Sequence, residues 1–98
     1  MKILKGGSAE VKPNVWKKFD IELDESDLQA ITVKHNLDTS KLSVIMKYQL
    51  MVKQADLLIT LQMESEGLTG DKSVETLSGE FRSLISQLPK VEANADSA

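Results

Sequence analysis

The segment from Lys41 to Met63 constrains the fold of this chain most, because it has a helical pattern with apolar residues on two sides. At about 100° per residue, one unbroken sector of roughly 140° is apolar, and a narrower apolar stripe lies nearly opposite it. The wide sector contains Val44, Ile45, Tyr48, Met51, Val52, Ala55, Leu58, Ile59 and Met63. The narrow stripe contains Met46, Leu50, Leu57 and Leu61. A surface helix normally has a single apolar stripe, so this helix needs neighbours on both sides.

Two interpretations account for such a helix. In the first, other helices of the same chain surround it completely. In the second, they cover the wide sector, and the narrow stripe meets another protein chain. We favour the second, because the flanking segments are few. It makes the narrow stripe, Met46, Leu50, Leu57 and Leu61, the predicted protein interface.

The N-terminal part of the chain is predicted to contain little regular structure. Residues 1–15 include Gly6, Gly7 and Pro13 and have no apolar period, which is typical of a flexible, irregular arm. Residues 16–23 alternate between apolar and charged side chains, with the period of a half-buried strand. A single strand in an otherwise helical chain would pair with another chain or remain extended.

Three helices are expected after this strand. Cap residues at 24–27 start a short helix that ends near Asn36, and those at 38–40 start the long one. Asp71 or Ser73 starts a third, amphipathic helix, which is expected to fold back antiparallel to the long one. Its coiled-coil-like seam consists of Val74, Leu77, Phe81, Leu84 and Leu88. We therefore predict a mainly α fold, with one helical domain over 16–89 and a disordered tail over 90–98.

Composition and motifs argue against an enzyme. The chain has no cysteine, and His35 is its single histidine, so a transition-metal site lacks its usual ligands. The segment 67–73 departs from a phosphate-binding loop, because two residues rather than four separate its glycines and Asp71 follows the second. No arrangement of residues suggests catalysis, a metal or a cofactor.

The sequence also bears on location. The start of the chain lacks the apolar region of a secretory signal. No run of about 18 uncharged apolar residues predicts a membrane span. We expect a cytoplasmic protein, although a virus particle or an exported assembly would give the same pattern.

The charges are unevenly distributed. Residues 1–18 carry five lysines and one acid, whereas residues 19–29 carry five acids and no basic residue. A cationic arm attracts phosphates without requiring a particular shape, so Lys12, Lys17 and Lys18 are the candidate nucleic-acid contacts. The alternative is that these lysines are simply solvated.

Two resemblances extend this reading. The order of a strand at 16–23, a short helix and a long helix, over roughly residues 16 to 60, resembles ribbon-helix-helix repressors. That resemblance implies a dimer whose strands enter the major groove of DNA. The outward side chains would be Lys18, Asp20 and Glu22, and the two acids would oppose phosphate. The segments 48–50 and 73–77 are similar to the C-terminal helices of type III secretion rod and needle subunits, which implies a polymerising helical subunit.

Taken together, the sequence predicts a non-enzymatic protein-protein interaction module. We expect a small, self-assembling or partner-bound subunit of a larger particle or apparatus, of phage or secretion type, and most simply a homo-oligomer. The alternative is a dimeric, ribbon-helix-helix-like DNA-binding regulator that uses Lys12, Lys17 and Lys18.

Overall fold

The structure, a computed structural model, describes residues 1–92, which form a two-stranded antiparallel sheet and three α-helices. The elements are β1 (Ile3–Lys12), β2 (Val15–Leu23), α1 (Glu25–Lys34), α2 (Val44–Ser65) and α3 (Val74–Ser86), with a short 3-10 helix, Thr39–Lys41, before α2. This is an α+β arrangement with its strands at the N-terminus. The predicted mainly α fold with a possible single strand is therefore wrong.

The strand predicted over 16–23 is present, but its partner belongs to the same chain. Strand β1 pairs with β2 from Ile3 opposite Leu23 to Lys12 opposite Val15, with a bulge near the connection. The predicted irregular arm is therefore wrong over most of its length. Because β2 completes a hairpin within the chain, residues 1–92 do not show the sheet between two subunits that ribbon-helix-helix repressors require.

The hairpin lies against α2 through small side chains on β1. A Cβ atom on Gly7 would lie 3.3 Å from both the Cγ2 atom of Ile59 and the Cε atom of Met63. Ala9 and Phe19 complete this contact and are buried. Glycine at position 7 thus permits a close approach of the strand to the helix, which explains why β1 lacks the usual large apolar alternation.

The helix boundaries follow from capping groups. Asp24 caps α1 through a capping box with Asp27, and Asn36 has a positive φ of 56° just after that helix. Ser43 caps α2, whereas Asp38 caps only the short 3-10 helix before it, so α2 starts a few residues later than predicted. Gly67, with φ of 76°, follows the end of α2.

Helix α2 is central, and the other elements pack around its middle. Leu50, Met51 and Ala55 have no exposed surface. Two hydrogen bonds show that α3 runs antiparallel to α2. The Val74 N–H, at the start of α3, donates to Glu64 near the end of α2, and Lys53, in the middle of α2, donates to Glu80 in the middle of α3. The buried residues of α3 are Leu77, Phe81 and Ile85, and Leu88 joins the core just beyond the helix.

The C-terminal segment is tied to the loop after α1 as far as it is described. Lys90 forms an isolated antiparallel bridge with Leu37, and the Val91 N–H donates to the Asn36 carbonyl. The predicted disordered tail therefore begins with two paired residues. Residues 93–98, the remainder of that predicted tail, lie outside the described part of the chain.

Candidate functional site

The four residues of the predicted interface lie in different environments. Leu50 is fully buried inside its own chain, Met46 and Leu57 are half-buried, and the Leu61 side chain is 45% exposed. The core around Phe81, Ile85 and Leu88 includes Leu50. The narrow stripe is therefore fully covered at Leu50, partly covered at Met46 and Leu57, and open at Leu61, and its role as an interface stays a prediction.

Two residues of the stripe, Leu57 and Leu61, line a groove of about 400 Å³ between α1, α2 and α3. Its apolar lining includes five large side chains of the three helices, which we call the groove floor: Ile31, Leu57, Leu58, Leu61 and Phe81. Leu57 and Leu61 are four residues apart and therefore lie on the same side of α2, one turn from each other. Helices α1 and α3 flank this side of α2, and the groove lies between them.

Two cations and a histidine border the floor, and we call Lys34, His35 and Arg82 the groove rim. Lys34 ends α1, and Arg82, the single arginine of the chain, lies on α3. Neither forms an ion pair among residues 1–92, although lysines at other positions do. One acid, Asp27, also lines the groove, and its carboxylate accepts a hydrogen bond from the Asp24 N–H. The rim therefore carries excess positive charge.

His35 lies where the rim meets the floor. Its ring packs edge-on against Phe81, with 5.8 Å between the ring centroids and 90° between the planes. Burial lowers the pKa of His35, and the charges of Lys34 and Lys90 lower it further. The lowered pKa favours the neutral imidazole, so we assign the positive charge of the rim to Lys34 and Arg82.

The sequence predicted part of this site and missed the rest. The apolar pair Leu57 and Leu61 followed from helical spacing. The rim cations were missed, because Lys34 and Arg82 belong to different helices and nothing in their spacing shows that α1 and α3 flank the same groove. One feature of the sequence pointed to the rim: Arg82 places a charge directly beside Phe81, a position of the apolar seam.

The lysines considered for nucleic-acid contact lie on the hairpin, and their environments differ. Lys12 and Lys18 are exposed and form no ion pair among the described residues. The Lys17 ammonium group lies 2.5 Å from a Glu66 carboxylate oxygen and 5.2 Å from the centre of the Phe19 ring. Lys17 therefore ties the hairpin to the end of α2, and two of the three lysines remain available.

A second cleft, of about 330 Å³, lies between β1 and α3 and has balanced charge. Glu80 accepts hydrogen bonds from Lys53 and Lys72, at 2.6 and 2.8 Å. These two bonds, Lys53 first, hold the pKa of Glu80 below its usual range. Lys5 lies 3.5 Å from Asp56 at the same cleft. Because each cation here has an acidic partner, the cleft offers no net charge to a ligand.

Searches for other kinds of site were negative over residues 1–92. No group of three His, Cys, Asp or Glu side chains in this part of the chain could hold a metal ion. No helix in it combines the length and apolar character needed to cross a membrane. Comparison of the whole chain with protein-family models, curated proteins and solved structures found no match.

Proposed function

We propose that this protein is a non-enzymatic binding module whose groove between α1 and α3 takes an amphipathic helix with acidic flanks from another protein. One observation carries the proposal: the open apolar pair Leu57 and Leu61 lies between two cations, Lys34 and Arg82, that have no acidic partner in the described chain. In this role the protein is a small subunit of a larger assembly.

The apolar part of the groove suits a helix. A helix that docks in a groove uses side chains spaced three, four and seven residues apart, and these need a continuous apolar strip. Leu57, Leu58 and Leu61 provide such a strip along about one turn of α2, and Ile31 and Phe81 extend it to both walls. A volume of about 400 Å³ is within the usual range of about 300–1,000 Å³ for a binding pocket.

The charges select the partner. The chain has a net charge of −3, yet this groove presents two cations and one acid. Arg82 can bind a carboxylate through two parallel hydrogen bonds, and Lys34 supplies a mobile point charge on the other wall. Charge complementarity of this kind speeds association and discriminates against basic partners. An acidic helix therefore fits better than a basic one.

Titration calorimetry with two synthetic helical peptides tests the proposal. Both peptides carry leucines at positions i, i+4 and i+7, and their flanking positions are glutamate in one and lysine in the other. We expect the glutamate peptide to bind and the lysine peptide not to bind. Arg82→Glu should weaken binding on the order of tenfold, equivalent to about 1.4 kcal/mol, because it replaces an attraction with a repulsion.

Matched variants separate the groove from general electrostatics. Lys18→Glu makes the same charge change on the hairpin and should leave the affinity unchanged. Leu61→Glu should abolish binding while preserving the fold, because this side chain is already 45% exposed. Equal affinity for the two peptides, or equal loss with Arg82→Glu and Lys18→Glu, would refute the proposal.

A further inference from the structure

His35 is the third member of the groove rim, and its ring connects the end of α1 to α3. The residue directly follows Lys34, the last residue of α1, and is half-buried. Its ring packs edge-on against Phe81, which belongs to the groove floor. An apolar side chain that docks over Phe81 therefore brings the neighbouring residues of its own helix next to His35.

The ring nitrogens of His35 are available to a ligand. Among residues 1–92, neither nitrogen has a hydrogen-bond partner. A neutral imidazole has one N–H donor and one acceptor nitrogen, whereas the imidazolium form has two donors. A carboxylate beside the ring accepts a hydrogen bond and favours the protonated form. His35 thus differs from Lys34 and Arg82, whose charges do not change near neutral pH.

The charges around the ring disfavour its protonation in the chain alone. The charged groups that line this groove or act on the ring are three cations and one acid: Lys34, Arg82, Lys90 and Asp27. The side chains that β2 and α2 contribute to the groove are uncharged. Burial is the largest cause of the lowered pKa of His35, and Lys34 and Lys90 lower it further. The carbonyl groups at the end of α1 act in the opposite direction, because they favour a cation.

An acidic helix in the groove would reverse this balance. Its carboxylates offset the excess of cations around the ring, and an opposite charge nearby raises the pKa of a histidine because it stabilises the charged form. Linkage between two bound species is reciprocal. If the docked helix strengthens proton binding to His35 about tenfold, protonation of His35 strengthens docking by the same factor.

We propose that His35 takes up one proton from solvent when an acidic helix docks in the groove, and that the imidazolium then donates a hydrogen bond to a carboxylate of that helix. This inference rests on the proposed function and adds a dependence on pH to it. The partner is then a helix with an acid next to the apolar residue that contacts Phe81. Because docking raises the pKa of His35, the extra affinity is fully present below the pKa of the chain alone, and it is lost as the pH rises through the pKa of the complex.

Titration calorimetry with the glutamate-flanked peptide at pH 8 and at pH 5.5 tests this coupling. The affinity should be about five- to tenfold higher at the lower pH. The peptide does not cause this change, because glutamate has a usual pKa of about 4.3 and stays ionised throughout. At pH 6.5, titrations in two buffers with different ionisation enthalpies should show uptake of about half a proton for each peptide bound.

Two variants of the rim assign the pH dependence to its source. His35→Phe keeps an aromatic ring against Phe81 but cannot titrate, so its affinity for the peptide should be the same at both pH values. Lys34→Gln is the matched control, because it removes a charge of the same rim that does not titrate in this range. It should weaken binding at both pH values and keep the dependence on pH.

NMR titration of the wild-type chain gives a second measurement that needs no variant. His35 is the single histidine of the chain, so its ring resonances are identified without ambiguity. Its pKa should be higher in the chain saturated with the glutamate-flanked peptide than in the chain alone.

The possible failures separate this inference from the proposed function. If the peptide binds with equal affinity at pH 8 and pH 5.5 and leaves the pKa of His35 unchanged, the inference is wrong and the proposed function stands. If His35→Phe keeps the full dependence on pH, another group takes up the proton and the inference is also wrong. If the peptide binds at neither pH, the proposed function fails and the inference fails with it.

Discussion

Replacing two leucines of the same α2 stripe should have very different effects on stability. Leu50 is fully buried in the core, so Leu50→Ala removes methyl groups and leaves a cavity, at a cost of about 2–5 kcal/mol. Leu61 is 45% exposed, and a fully buried leucine contributes about 1.5–3 kcal/mol, so Leu61→Ala should cost only about 1 kcal/mol. Domains of this size are stable by about 5–15 kcal/mol, so the first change removes a large fraction of the total.

Urea denaturation followed by circular dichroism measures both changes directly. The free energy of unfolding should fall at least twice as much for Leu50→Ala as for Leu61→Ala, and the denaturant slope should be unchanged. In thermal melts, each kcal/mol corresponds to about 4–8 °C for a domain of this length. Equal losses for the two variants would refute the distinction between a covered Leu50 and an open Leu61, since both leucines would then lie in equivalent environments.

Three further predictions follow from the hairpin, the charged cleft and the groove rim. Gly7→Val should lower the free energy of unfolding by about 1–3 kcal/mol, because its side chain would clash with α2. Gly6→Val should cost much less in the same urea assay, because its one close contact is with the exposed, movable side chain of Asp20. The lowered pKa of Glu80 means that its ion pairs stabilise the fold above the usual carboxylate pKa, and that this stabilisation is lost as the pH falls. Glu80→Gln should therefore flatten the decline in the free energy of unfolding between about pH 5 and pH 3. Parallel declines for the wild-type chain and the variant would contradict this. Burial is the main cause of the lowered pKa of His35, and the charge of Lys34 is a smaller one. Lys34→Gln should therefore raise that pKa only part of the way to its usual value in an NMR titration. A further fall in the pKa would contradict these causes.

The sequence predicted those helices and strands whose own residues have the pattern or capping groups typical of the element. The alternation over 16–23 predicted β2, and the cap residues around Asp24 and Ser73 predicted the starts of α1 and α3. Strand β1 was missed because its inner face carries Gly7 and Ala9 where a strand usually carries large apolar residues. Those small residues are explained only by the close approach of α2, which is a tertiary feature.

The candidate site was harder to predict than the fold. Helical spacing placed Leu50 and Leu61 on one stripe and could not separate them, because their exposure depends on where the core packs against α2 and where it does not. The end of α1 near Lys34 and the position of Arg82 on α3 determine which part of the stripe stays open and which charges border it. These facts depend on how the three helices pack, and no single segment contains them.

An NMR titration of the leucine methyl groups with the acidic helical peptide tests the central claim most directly, because it locates the bound peptide. At a protein concentration low enough to keep the chain monomeric, we expect the largest shifts at Leu57, Leu58 and Leu61, together with a rise in the pKa of His35 as acidic side chains approach it. Largest shifts outside the groove, at Leu4 on the outer face of the hairpin or at Leu28 on α1, would contradict the account.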